Sequence, residues 1–217
     1  MRKIAFIISL LCCIGPLSAQ ITHTDKGHVD QNAQKILKKA EQKINSGAVS
    51  FTVTMTNKNS EKKTTAKANA DVLYNKGRYR VTFGDNIIYC DGTATWHWNK
   101  EANEVVVNNI SAAEDDLLNP AAIISNHEKN FTAKYIRQEE NGNAIIDMTP
   151  KKGKSYYKIR LYINSTTGIL KRMEMHNYDS SSAEYQISNF KSNVKSTDND
   201  FTFPASSNPK TDIIDMR

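Results

Sequence analysis

The side chains with the widest chemical repertoire in this 217-residue chain are five histidines, His23, His28, His97, His127 and His176, and they lie far apart. None has a partner at the short spacings by which a metal motif sets two ligands on one face, so no metal site is expected. His97 stands between Trp96 and Trp98. Strand alternation puts it on the opposite face from them, as a solvent-facing residue. A nucleophile needs a strained elbow or a poised base, and no Gly-x-Ser-x-Gly elbow or Gly-rich phosphate loop occurs. Cys90 is flanked by Ile88, Tyr89 and Asp91-Gly92, which supply no cation to activate a thiol, and it reads as packed or idle. The adjacent carboxylates Asp115-Asp116 and Glu139-Glu140 have nothing that would converge them on one substrate. The chain is therefore read as a non-enzyme without a cofactor.

What stands out instead is an inventory of soft, branched and aromatic side chains at alternating positions. It comprises Phe51, Val53, Met55, Tyr79, Val81, Phe83, Trp96, Trp98, Ile159, Leu161, Met173, Met175 and Tyr185. An ordinary packed core uses such residues. A cavity for apolar cargo uses them too, because thioethers repack around ligands of different shape. On residue type alone the packed core ranks first.

The elements that would position them follow from periodicity. From Asp30, the residues Ala33, Ile36, Leu37, Ala40 and Ile44 recur at helical spacing among Lys, Gln and Glu, which predicts a helix to about Asn45. After Gly47 the period falls to two, with Phe51, Val53 and Met55 alternating with threonines. Ala66, Ala68, Ala70, Val72 and Tyr74 follow on one parity, which predicts a small-residue inward face. Turn signals at Asn75-Lys76-Gly77, Gly84-Asp85-Asn86 and Asp91-Gly92 separate strands at Tyr79–Phe83, Ile87–Cys90 and around Trp96. Val105–Val107 is the next strand. Ser111 with Glu114, and Asn119 before Pro120, are helix-start patterns. Two short helices there, with Leu117, Leu118, Ile123 and Ile124 as apolar contacts, would cover a sheet. Strands resume at Phe131–Ile136, Ala144–Met148, Tyr157–Ile163, and around Met173 and Tyr185, with a short last one at Phe201 and Phe203. So many short strands with few helices predict a mostly β domain.

Arg2 and Lys3 precede an apolar run, Ile4–Ile14, too short to span a bilayer, and Ser18-Ala19 follow Gly15-Pro16. Residues 1–19 read as a signal peptide and 20–217 as one domain. A lipid-attachment cysteine follows a small residue, whereas Leu11 and Cys12 precede Cys12 and Cys13, so lipidation is not the favoured reading. The exported segment keeps Cys90 as its sole cysteine and has no internal disulfide to rely on. Losing Arg2 and Lys3 lowers the formal charge from +6 to +4. The lysines are scattered and lack the aromatic interleaving of a single-strand nucleic-acid platform, so no nucleic-acid partner is expected.

The order of landmarks resembles the LolA family of periplasmic lipoprotein carriers. The landmarks are Ser50-Phe51 with Val53 and Met55; Ala70-Asp71-Val72-Leu73-Tyr74; Asp91-Gly92 before Trp96-His97-Trp98; Asn119-Pro120 with Ile123-Ile124; Met148-Thr149-Pro150-Lys151; Phe201-x-Phe203; and Ile213-Ile214-Asp215-Met216-Arg217. The resemblance implies an antiparallel unclosed β-barrel, a curved sheet of about eleven strands covered by a few helices. It implies a monomeric periplasmic carrier that takes the acyl chains of lipoproteins from an inner-membrane exporter to an outer-membrane receptor. One departure stands out: where the family has an arginine before a proline, the matching turn here is Lys76-Gly77. Lys76 keeps the charge of that gating position without the planar fork. A regulatory sensor or other lipid-binding protein of the same architecture is the alternative, and a lipid-directed hydrolase comes last.

Overall fold

The computed structural model describes residues 30–110 and 120–217. The expected leader at 1–19, the Ser111–Glu114 cap, and the cover contacts Leu117 and Leu118 lie outside these residues.

Asp30 adopts extended backbone at the head of α1 (Gln31–Asn45), and its Oδ1 accepts a hydrogen bond from the Ala33 N–H at 3.0 Å. This satisfies one of the donors that a helix start leaves unpaired. Ala33, Leu37, Ala40 and Ile44 form the buried stripe that their spacing requires. The strands follow as β1 (Val49–Lys58), β2 (Thr64–Asn75), β3 (Arg78–Phe83), β4 (Asn86–Cys90), β5 (Ala94–Asn99) and β6 (Glu104–Asn109). Two short helices, α2 (Pro120–Ser125) and α3 (His127–Asn130), interrupt them. Then come β7 (Phe131–Gln138), β8 (Asn143–Pro150), β9 (Tyr156–Asn164), β10 (Leu170–Asn177), β11 (Ser182–Ser192) and β12 (Asp212–Asp215).

All twelve strands form one sheet in the order β12-β6-β5-β4-β3-β2-β1-β11-β10-β9-β8-β7. Neighbours are antiparallel except β12, which runs parallel to β6. The end strands β12 and β7 do not pair, so the curved sheet is an unclosed barrel. Its curl brings both β2 and β7, six places apart in the order, against α1. The β2–β3 hairpin shows why one turn has its sequence. Lys76 (φ 50°) and Gly77 (φ 89°) both take the left-handed backbone that a two-residue loop needs to match strand twist.

The β9–β10 turn is seated on α1. Lys39 Nζ donates to the carbonyls of Ser165 at 2.9 Å and Thr166 at 3.3 Å. Gly168 has φ +73°, and a Cβ there would lie 2.8 Å from the Lys39 carbonyl oxygen. Backbone cannot yield as a flexible side chain can. Gly168→Ala is therefore expected to cost about 1–3 kcal/mol in urea unfolding, and an alanine variant as stable as the parent would refute this seating.

Three expectations need correction. Phe201 and Phe203 do not make a strand: Asp198–Phe201 is a 3-10 turn closed by a Thr197/Asp200 capping box, and Phe203 follows it outside any strand. The last strand is Asp212–Asp215 instead. Ala66 and Ala68, read as an inward face, are exposed, because none of the described residues covers the first half of β2.

Candidate functional site

The register assigns each strand residue to a face. Phe51 pairs Val72, Val72 pairs Val81, and Val81 pairs Ile88, while Tyr74 pairs Tyr79. On the other side of β1, Met55 pairs Tyr185, Tyr185 pairs Met173, and Met173 pairs Leu161. Met175 pairs Ile159. Directly paired residues share a face, so Phe51, Val53, Met55, Tyr79, Val81, Phe83, Ile159, Leu161, Met173, Met175 and Tyr185 come together on one side. They pack into a single apolar cluster with Leu37 and Ile44 of α1 and with Ile123 and Ile124 of α2. Burial pushes the Tyr185 hydroxyl up to about 12.

Trp96 and Trp98 do not join that set. They pair Tyr89 and Ile87 across β4, and Val107 and Val105 across β6, on the opposite face. There they pack with Phe203 in a second cluster, Trp98 meeting the Phe203 ring edge-on at 5.2 Å. The reason is that the stretch 198–208 clothes the outer face. Arg80 pairs Asp200 at 3.2 Å, and the Arg78 guanidinium lies 4.8 Å over the Phe201 ring. A sheet covered on both sides has apolar residues on both parities, and alternation alone cannot say which parity faces the helices. His97, as expected, lies opposite the tryptophans and is exposed. Cys90 is buried, with its Sγ 3.8 Å from the Gly77 carbonyl oxygen.

The helices and the sheet close on one another. Ile44, Phe51, Pro120, Ala121, Ile124, Leu170, Ile187 and Phe190 leave between them a crevice of about 20 Å³, room for about one water-sized sphere. Polar contacts fasten the cover, among them Lys43 Nζ donating to Ser192 Oγ at 3.4 Å, which joins α1 to β11. Tyr74 Oη and Ser125 Oγ are 2.8 Å apart, joining β2 to α2. Asp30 Oδ2 accepts from the Tyr135 N–H at 2.8 Å, joining α1 to β7. Lys39 holds the β9–β10 turn. Lys76, at the position expected to gate, is exposed in its hairpin and makes no hydrogen bond or ion pair among the described residues. The sheet-to-cover bond comes from Tyr74, two residues earlier. His127 is buried in α3 with Nδ1 2.7 Å from the Ile124 carbonyl, and its Nε2 has no partner among the described residues.

Several of these residues escape sequence reasoning. Ile187 and Phe190 line the crevice although three positions separate them, an odd spacing that alternation assigns to opposite faces. A bulge explains it: the pairing of β11 slips between Ser50 and Thr52, with Asn189 at φ 52°. Phe190 is thereby turned back to stack on Phe51 at 6.3 Å. A polar residue directly after the apolar Pro120–Ile124 run is the hint the sequence offers for Ser125.

The profile of the family described as outer membrane lipoprotein carrier protein LolA matches residues 78–204. The chain belongs to the LolA family. Among curated proteins none matches it in sequence. Among solved structures, an uncharacterized conserved protein from Thermus thermophilus is 15% identical and superposes with a TM-score of 0.59 over 85% of this chain and 99% of that one. A LolA superfamily protein from Nitrosomonas europaea is 13% identical, with a TM-score of 0.46 over 79% of this chain and 97% of that one. The MucA/MucB complex of Pseudomonas aeruginosa contains a chain that is 11% identical, with a TM-score of 0.47, over 80% of this chain and 62% of its own length. Within the LolA fold so established, the profile covers β3 to the 3-10 turn, while α1 and the Phe51 strand that complete the cluster precede it.

Proposed function

We propose that this LolA-family chain is a periplasmic carrier that takes the acyl chains of lipoproteins between the helix pair α1–α2 and the sheet, and moves them from the inner to the outer membrane. The observation that carries the reading is an interface apolar on both sides, with a crevice of about 20 Å³, fastened by a small number of polar contacts. Acyl burial contributes about 0.8 kcal/mol per methylene, so one long chain contributes on the order of 10 kcal/mol. That suffices to keep the chain out of water, and because a bilayer offers the same burial, exchange between carrier and bilayer stays near balance. A cargo entering this space displaces Ile124, Leu37 and their neighbours from the sheet, and the self-packing lost is the term that opposes binding and drives release. Tyr74, Ser125 and Asp30 then set how firmly the empty form closes.

Delipidated protein titrated with a fluorescent acyl probe is expected to bind it and to keep a purified lipoprotein soluble; failure in both would end the carrier reading. Tyr74→Phe removes the sheet-to-α2 hydrogen bond at a cost of about 1 kcal/mol to the closed form. Apparent probe affinity is expected to rise about fivefold. A fall in affinity would instead place the tyrosine hydroxyl on the ligand.

A further inference from the structure

The register gathers three turns and the start of β7 at one end of the sheet. Lys58 pairs Ser182, Tyr156 pairs Asn177, and Phe131 pairs Pro150. The turns β1–β2, β8–β9 and β10–β11 therefore stand side by side. Within 58–63, 127–130, 151–158 and 176–184 the chain carries eight lysines against four carboxylates. Of the lysines, Lys63 pairs Glu61 at 2.8 Å, Lys58 pairs Glu184 at 3.3 Å and Lys158 pairs Asp147 of β8 at 3.8 Å. Lys62, Lys63, Lys129, Lys151 and Lys152 are exposed.

Two tyrosines stand out among these lysines. Tyr157 is 42% exposed and Tyr178 is 71% exposed, with ring centroids 5.6 Å apart. Neither ring packs into the apolar clusters. They border a cleft of about 240 Å³ completed by Lys62, His176, Asn177, Ser180 and Ser181. Lys62 Nζ donates to the Ser180 carbonyl at 2.7 Å, and Lys158 Nζ lies 5.9 Å over the Tyr157 ring. The cleft shares no residue with the crevice under α2.

We infer that this end of the sheet docks on an anionic phospholipid bilayer, with Tyr157 and Tyr178 at headgroup depth and the cleft beside them receiving a lipid phosphate. Tyrosine suits that depth because its ring has an apolar body and a polar tip. Lysines near an anionic leaflet each strengthen binding by about fivefold. A row of turns with eight lysines against four carboxylates and two exposed tyrosines complements an anionic headgroup layer. This assignment is independent of what the α1–α2 space holds.

Co-sedimentation with vesicles tests it. The full chain is expected to bind vesicles containing about one-third phosphatidylglycerol at least tenfold more tightly than pure phosphatidylcholine, and to lose that binding steeply with salt. Tyr157→Ala/Tyr178→Ala and, separately, Lys62→Glu/Lys152→Glu are expected to lower it at least fivefold with unchanged thermal melting. The lysine pair serves if the tyrosine pair misfolds. Equal binding to both vesicle types, binding to neither, or variants that bind as the parent does would overturn the assignment. Tight capture of an acidic protein with no vesicle binding would do so as well.

Discussion

Replacing Leu37 with alanine is expected to destabilise the protein by about 3 kcal/mol and, in a chain of this length, to lower the melting temperature by about 10 °C. Leu37 is wholly buried at the centre of the α1 stripe, in the same cluster as Ile124 and the sheet residues beneath. The substitution removes its methyl groups from a fully buried position, so it leaves a cavity that the surrounding structure fills only in part. Urea unfolding measures the loss directly. The carrier reading makes a second demand on the same variant. If cargo displaces α1 from the sheet, the lost contacts belong to the empty form alone, and acyl-probe affinity rises as stability falls, to a limit of about 150-fold for 3 kcal/mol. Stability and affinity then move in opposite directions, which a rigid core residue would not produce. A probe affinity unchanged in Leu37→Ala would show that α1 stays in place.

Asp30→Ala is the second large effect. One carboxylate oxygen caps α1 through the Ala33 N–H and the other accepts the Tyr135 N–H of edge strand β7. Removing both is expected to cost about 2–3 kcal/mol, since a lost cap and a lost charge-assisted bond are each worth about 1–2. Hydrogen exchange is the informative readout: protection should fall first in α1 and β7, while β1, β2 and β11 at the middle of the sheet keep theirs. Asp30→Asn should be intermediate. An asparagine caps a helix as well as aspartate does, but it offers one carbonyl oxygen where two acceptors are in use. Loss of protection spread evenly over the sheet would mean that α1 is no separable cover.

Much of this architecture was legible in the residues, and the exceptions share a cause. Local signals hold where local physics decides: Asp30 starts α1, Ala33 to Ile44 face inward, and Asp91-Gly92 turns β4 into β5. The resemblance pointed to the unclosed barrel because ordered landmarks carry topology that propensities do not. Trp96 and Trp98 were misplaced because the covering of the outer face by residues near Phe203 is a contact across about a hundred residues of chain. Phe190 was missed because a single bulge inverts parity. Lys76 was given a role by position, whereas the hydrogen bond to the cover is made by a tyrosine whose long side chain reaches Ser125.

The parallel pairing of β12 with β6 has a bearing on how the molecule assembles. Val105, Val106 and Val107 offer their free edge to Ile213, Ile214 and Asp215, partners separated from them by about a hundred intervening residues. Until that distant segment arrives, a valine-rich strand lies bare and can recruit a matching stretch from another newly made copy. Refolding yield should therefore fall steeply as concentration rises, and a chain shortened before Asp212 should clump while its helix-side packing remains intact.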